Sequence, residues 1–198
     1  MRLFVLTRHA HSTLNVEGRV NGDPGVSVPL TAEGLVEGAR LGAQLAQLPV
    51  ELCVHTRFAR TRETADAILG GRDVPRLEEP LLDDIDVGEL EGITIEEYRA
   101  WKRLHRRGEA FPGGESLDDA ARRYARAFRR LLERPEHAIL VVCHEIPIRY
   151  ALNGAAGSDD LDRPVHAIPN ATPYLLDETA LARGAAQIER LVPGSCSR

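Results

Sequence analysis

Apolar residues in this chain gather in two patterns. Compact apolar blocks at Arg2 to Thr7, Leu52-Cys53-Val54, Val74 to Leu77, Ala138 to Cys143, Tyr174 to Leu176 and Gln187 to Val192 predict about six short strands. Between them apolar positions recur every three or four residues. Leu35, Ala39, Leu41, Leu45 and Leu48 follow a Thr31 N-cap and stop at Pro49, and Ala59 to Leu69 is closed by Gly70-Gly71. Thr94 with Glu97 forms a capping-box pattern opening a helix to about Arg107. Ser116 with Asp119 opens another, carrying Leu117, Ala121, Tyr124, Phe128 and Leu132. Pro147 suits the first turn of a helix reaching about Gly154. His9 to Leu30 and Leu81 to Gly92 are rich in turn residues and predict loops. Strands alternating with helices predict an α/β fold: a three-layer α/β/α sandwich whose central sheet of about six strands is mostly parallel. No linker or repeat divides the chain, so residues 1–198 are expected to form one domain.

Composition narrows the function classes. The 198 residues are 43% hydrophobic and 28% charged, with a net charge of −5, which leaves no global basic footprint for nucleic acid. The first apolar block is too short for a signal peptide and no stretch approaches a membrane span, so a cytoplasmic protein with no membrane partner is expected. Cys53, Cys143 and Cys196 are widely separated and lack a CxxC pair, which argues against a disulfide framework or zinc ribbon. Positive charge comes from arginine, with Lys102 the only lysine, so arginine positions carry more information than arginine counts. The run Arg122, Arg123, Arg126, Arg129 and Arg130 has helical spacing and reads as a solvated face.

Open α/β sheets bind ligands beyond the carboxyl ends of their strands. His9 and His144 each follow a strand, Arg8 adjoins His9, and Arg60 lies just past another strand at a helix start. Guanidinium forks and a helix N-terminus together suit a phosphate. Arg8-His9-Ala10-His11-Ser12 with Asn15 resembles the Arg-His-Gly-Glu-Thr…Asn opening of the histidine phosphatase superfamily, the phosphoglycerate-mutase-like fold. Five further blocks follow in that family's order: Pro29 to Gly34, Arg60 to Ala65, Leu82 to Gly92, Phe111 to Ser116, and Val142-Cys143-His144 with Ile148-Arg149.

The resemblance implies a phosphomonoester hydrolase acting on a small phosphorylated metabolite. In that scheme His9 attacks phosphorus and becomes a phosphohistidine. Arg8, Arg60 and His144 hold the phosphoryl oxygens, and Asp84 protonates the leaving oxygen before activating water. Asn15 and the backbone amide of Glu145 are implied as further phosphate contacts, and no metal or cofactor is needed. Flanking Arg8 and Arg60 should keep His9 neutral. Asp83 and Asp86 compete with Asp84 for the acid role. Glu89 and Glu91 are expected to fix their loop, and Glu115 is balanced between turn structure and substrate contact. The leaving group is expected against Asn21 to Val28, Glu96 to Phe111 and Asn170 to Pro173.

Several positions depart from the family pattern. Ala10 stands for the usual Gly, which suits a backbone without positive φ. His11 stands for Glu and is expected at the pocket mouth. Glu145-Ile146 stands for Gly-Gly, bringing a carboxylate toward an anion. Three other readings remain: a mutase returning the phosphoryl group to substrate, a metal hydrolase using His9-x-His11, and a non-enzymatic phospho-ligand module. A homodimer is compatible with the sequence.

Overall fold

The computed structural model describes residues 2–163 and 165–193; Cys196 lies outside them. In chain order the elements are β1 (Leu3–Arg8), α1 (Thr13–Glu17), α2 (Ala32–Gln44), β2 (Leu52–His55), α3 (Ala59–Leu69), β3 (Arg76–Glu78), α4 (Ile95–Leu104), α5 (Leu117–Leu132), β4 (Ala138–Cys143), α6 (Glu145–Ala155), β5 (Pro173–Asp177) and α7 (Glu178–Leu191). The sheet runs β3-β2-β4-β1-β5. β1, β2, β3 and β4 are parallel, and β5 is antiparallel to β1. The expected α/β sandwich with a mostly parallel sheet is what forms.

Alternation within the buried strands divides the interior. Val5, Cys53, Leu140 and Val142 face α2 and α3, packing with Leu41, Ala65 and Ile68. Phe4, Leu6, Val54, Ile139 and Val141 face the other layer, where Tyr124, Phe128, Tyr150, Leu181 and Ile188 complete a larger core. Both faces of the sheet are thereby covered, as parallel sheets require.

Three expectations change. The sheet has five strands among the described residues. Gln187–Leu191, read as a strand, ends α7. Asp177 caps that helix by accepting from Ala180 N at 2.7 Å, and Leu181, Ala185 and Ile188 form its buried stripe. α4 stops at Leu104, three residues short of the expected Arg107. The stretch His9 to Leu30 contains α1, whose Ser12–Asn15 capping box was not anticipated. Elsewhere the caps hold: Thr31, Thr94 and Ser116 each accept a backbone N–H three residues on. No helix of the described residues is long and apolar enough to cross a membrane.

Candidate active site

Register brings the two histidines together. β1 and β4 are paired neighbours, with Arg8 opposite Cys143, so the residues that follow leave the sheet side by side. His9 N donates to the Cys143 carbonyl at 2.9 Å. The ring centroids of His9 and His144 are 5.5 Å apart. β2 ends at the same edge and feeds, through Thr56 to Phe58, into α3, which delivers Arg60.

Most polar atoms here have a partner that fixes their role. His9 is 3% exposed, and its Nδ1 lies 2.8 Å from the Ala10 carbonyl. A carbonyl only accepts, so Nδ1 carries the proton and Nε2 carries the lone pair. Burial, then the Arg60 and Arg8 charges, hold the His9 pKa well below the ordinary imidazole value. The flanking arginines were expected; burial is the larger cause.

His144 is wholly buried. Its Nε2 is 3.0 Å from Thr56 Oγ1, which is 2.9 Å from Thr61 Oγ1, which donates to Phe58 O at 2.8 Å. Its Nδ1 faces Arg60 Nη2 at 3.2 Å and Asp84 Oδ2 at 3.4 Å. Burial, Arg60 and His9 lower its pKa strongly.

Arg60 is 4% exposed. Nη1 donates to Asn21 Oδ1, and Nη2 reaches Asn21 O and Asp84 Oδ2, both at 3.2 Å. Arg8 Nη1 donates to Ile168 O at 2.9 Å and pairs with Glu145 Oε2 at 3.1 Å. Its buried Nε has no partner among the described residues, which leaves a donor for an anion at the strand ends. Asn15 accepts from Ser12 N and Ser12 Oγ through Oδ1, so Nδ2 is its free donor beside the cavity. The Glu145 carboxylate spans Arg8 and Arg149, the latter at 3.4 Å, which offsets the charge it brings toward the site.

The three competing aspartates separate cleanly. Asp83 accepts from Arg57 N and Arg57 Nε at 3.0 and 2.5 Å. Asp86 turns back to Gly88 N at 2.9 Å. Asp84 alone of the three meets Arg60 and His144. Burial raises its carboxyl pKa against the pull of Arg60. Gly88, at φ +53°, turns the Asp84 loop where a Cβ would sit 2.2 Å from Pro112 O.

The cavity over these groups holds about 510 Å³. Its wall takes Asn21, Val28, Tyr98, Arg99 and Lys102 from the two stretches expected there. It also takes Leu14, Val20, Ile95, Ile146 and Arg149, which were not expected. Asn170 to Pro173 do not line it. Asn170 instead donates to His9 O at 2.7 Å, held beside Ala171, whose φ of +45° is unusual for a residue with a side chain. His11 is not in the wall either. Its N donates to Glu37 on α2, and its carbonyl lies where a Cβ on Gly34 would be 2.1 Å away, which explains that glycine. Ala10 has no positive φ, consistent with its tolerance at a glycine position. Among the described residues no cluster of three His, Cys, Asp or Glu has the arrangement to hold a metal ion.

Four supporting residues escaped sequence reasoning. Arg123, assigned to a solvated face, donates to the carbonyls of Leu81, Asp83 and Asp84 at 3.0, 2.9 and 3.2 Å and pairs with Glu115. It clamps the loop that presents Asp84, and Glu115 accepts from Asp86 N on the same loop, giving Glu115 a turn role. Asn21 orients Arg60 and is itself held by Glu91 at 2.8 Å, the loop-fixing role expected of Glu91. Thr64 accepts from Ala10 N at 2.9 Å, and Thr56 positions His144. Their signal was a hydroxyl, amide or guanidinium near a motif, which has no periodicity to read.

A model described as histidine phosphatase superfamily (branch 1) matches residues 4–188. The chain belongs to that superfamily. Members related by sequence include 6-phosphofructo-2-kinase/fructose-2,6-bisphosphatase 4 of Rattus norvegicus, 30% identical over 87% of this chain. The chain spans 38% of that relative's length. A 2,3-bisphosphoglycerate-dependent phosphoglycerate mutase 2 of Gloeobacter violaceus is 33% identical over 77% of this chain and 74% of its own. Among solved structures, Bacillus stearothermophilus YhfR superposes with a TM-score of 0.78 at 25% identity, covering 89% of this chain and 91% of that one. The relatives named here include a phosphatase and a mutase.

Proposed function

We propose that the chain hydrolyses phosphomonoesters of small metabolites through a phosphohistidine on His9, without metal or cofactor. The observation that carries this reading is the Nδ1 bond of His9 to Ala10 O at 2.8 Å, which leaves a neutral Nε2 lone pair beside His144 and Arg60. Nε2 attacks phosphorus as the bond to the ester oxygen breaks. Asp84, whose carboxyl pKa is raised by burial, is placed beside Arg60 and His144 to deliver a proton to the departing alkoxide. Water then attacks the phosphohistidine, giving its proton back to Asp84 and releasing phosphate and neutral His9. Arg8 Nε, Arg60 and the first amides of α6 are suited to the equatorial oxygens, where charge spreads in the transition state. His144, whose Nδ1 accepts from Arg60 Nη2 while its Nε2 donates to Thr56 Oγ1, orients the Arg60 fork toward those oxygens.

The test is a rapid-quench experiment with a radiolabelled phosphomonoester. Label should appear on the His9 peptide, stable to base and labile to acid, and should be absent from His9→Ala. Turnover should persist in EDTA. Near wild-type hydrolysis by His9→Ala would overturn the assignment. A mutase reading is favoured by the 33% identity to the Gloeobacter mutase. Interconversion of phosphoglycerates faster than phosphate release would establish it in place of hydrolysis.

A further inference from the structure

The two imidazoles of the site are wired in opposite senses. His9 keeps its proton on Nδ1, toward the Ala10 carbonyl at 2.8 Å, and leaves Nε2 bare. His144 is held from behind by a chain of hydroxyls. Thr56, Thr61 and His144 are all fully buried, where an unmet polar atom is costly.

Every bond of that chain has a direction. Thr61 stands in the first turn of α3, and its Oγ1 lies 2.8 Å from Phe58 O and 3.2 Å from Thr56 O. Carbonyls only accept, so the single hydroxyl proton of Thr61 is used there, in the local back-bond that threonine makes in a helix. Thr61 Oγ1 is left to accept, from Thr56 N at 3.3 Å and from Thr56 Oγ1 at 2.9 Å. With its proton spent on Thr61, Thr56 Oγ1 accepts in turn, from Phe58 N at 3.4 Å and from His144 Nε2 at 3.0 Å. Nε2 therefore carries the imidazole proton and Nδ1 the lone pair. The other end agrees independently: Nδ1 is 3.2 Å from Arg60 Nη2, which can only donate. A carbonyl at one end and a guanidinium at the other demand the same orientation of every bond between them.

We infer that Thr56 and Thr61 are positioning residues, a hydroxyl relay that locks His144 as the Nε2–H tautomer and so aims the Arg60 guanidinium at the phosphoryl group. The catalytic meaning of the lock rests on the phosphomonoester reading. The lock also fixes the proton inventory. The His144 proton points into the fold, the His9 proton is held by Ala10 O, and a guanidinium does not release its own. Among His9, Arg60, His144 and Asp84, the aspartate is left as the one group able to hand a proton to the leaving group. An imidazole wired the other way would present a competing proton and set its N–H against Arg60 Nη2.

Nuclear magnetic resonance of protein labelled in its histidine ring nitrogens reads the tautomer without turnover, the His144 signals being those missing from His144→Asn. In the wild type at neutral pH, Nε2 should show the protonated, pyrrole-type shift and Nδ1 the bare, pyridine-type shift. Thr56→Val removes the acceptor of the Nε2 proton. Thr61→Val frees the Thr56 hydroxyl to turn and donate to Nε2. Both should move His144 toward the Nδ1–H form and lower kcat about tenfold or more, with KM changed less. Thr56→Ser and Thr61→Ser should keep the tautomer and most of the rate. A wild-type His144 protonated on Nδ1 overturns the relay, whether or not the valine variants fold. So does a fall in kcat with the tautomer unchanged, which marks a packing role, or a switched tautomer with kcat intact. The expected tautomers in a protein that forms no phosphohistidine would instead retain the relay and remove the hydrolase reading.

Discussion

The two ends of the cavity are built on opposite rules. At the phosphate end the main polar groups are cross-braced: Arg60 by Asn21 and Asp84, His144 by Thr56, His9 by Ala10, and the Asp84 loop by Arg123. At the α4 end the buried Tyr98 hydroxyl has no partner among the described residues, on a helix with no fully buried residue. The braced end is preorganised for one tetrahedral anion whatever it is attached to. The unbraced end is left to be completed by the attached group. A rigid scaffold that carries a less constrained covering segment lets one chemistry serve different substrates.

The largest expected break in this comparison is at His9. His9→Ala removes the nucleophile and should lower kcat on any phosphomonoester by about 10⁴-fold or more, with the far-ultraviolet circular dichroism retained. Asp84→Asn should come next. It keeps the shape but cannot donate as a carboxylic acid, so alkyl phosphates should slow by about 10²- to 10⁴-fold. Aryl phosphates, whose leaving groups need less help, should slow much less. An equal loss on both ester classes would count against the acid role.

Arg123→Gln sharpens the contrast at a residue that touches no substrate. It removes the donors that hold the carbonyls of Leu81, Asp83 and Asp84 and leaves Glu115 unpaired in a part-buried site. Breaking such a pair should cost about 2–3 kcal/mol of stability. A positioning role adds a catalytic signature: about a tenfold fall in kcat for alkyl esters with aryl esters little changed. A uniform fall, tracking the folded fraction alone, would leave Arg123 with a structural role only.

Much of this was legible in the sequence, for a physical reason. Buried strands of a parallel sheet read as apolar runs, and helix starts advertise themselves through Thr31, Thr94 and Ser116. The strand-end histidines and their arginines followed from those boundaries. What stayed hidden was nonlocal. Arg123 shares a helical spacing with truly exposed arginines, and only the loop folded over it distinguishes them. Asn21 and Thr56 act on residues 39 and 88 positions away. The run Gln187 to Val192 misled because a short apolar block in a helix looks like a strand unless the Asp177 cap is weighed with it.

The smallest effect separates the two ends by pH and stability. His9 and His144 are buried neutral in the fold, with pKa values well below that of a free imidazole. In the unfolded chain each titrates near the ordinary value of about 6.5. Below that pH the unfolded state binds protons that the native state does not, so stability is full at pH 7 and falls as the pH drops. Between pH 7 and 5.5 the loss should be about 1 kcal/mol for each histidine, read from urea midpoints. The raised carboxyls of Asp83 and Asp84 work in the opposite sense at lower pH, because the native state holds those protons more tightly. Comparing variants over this window isolates the imidazoles. His144→Asn should flatten the slope by about half, whereas Lys102→Met, at the other end of the cavity, should leave the slope as it is because an unfolded lysine stays protonated throughout this range. A slope unchanged in His144→Asn would mean that His144 is already charged in the native protein, and the contrast between a dry, braced phosphate end and an open α4 end would lose its electrostatic basis.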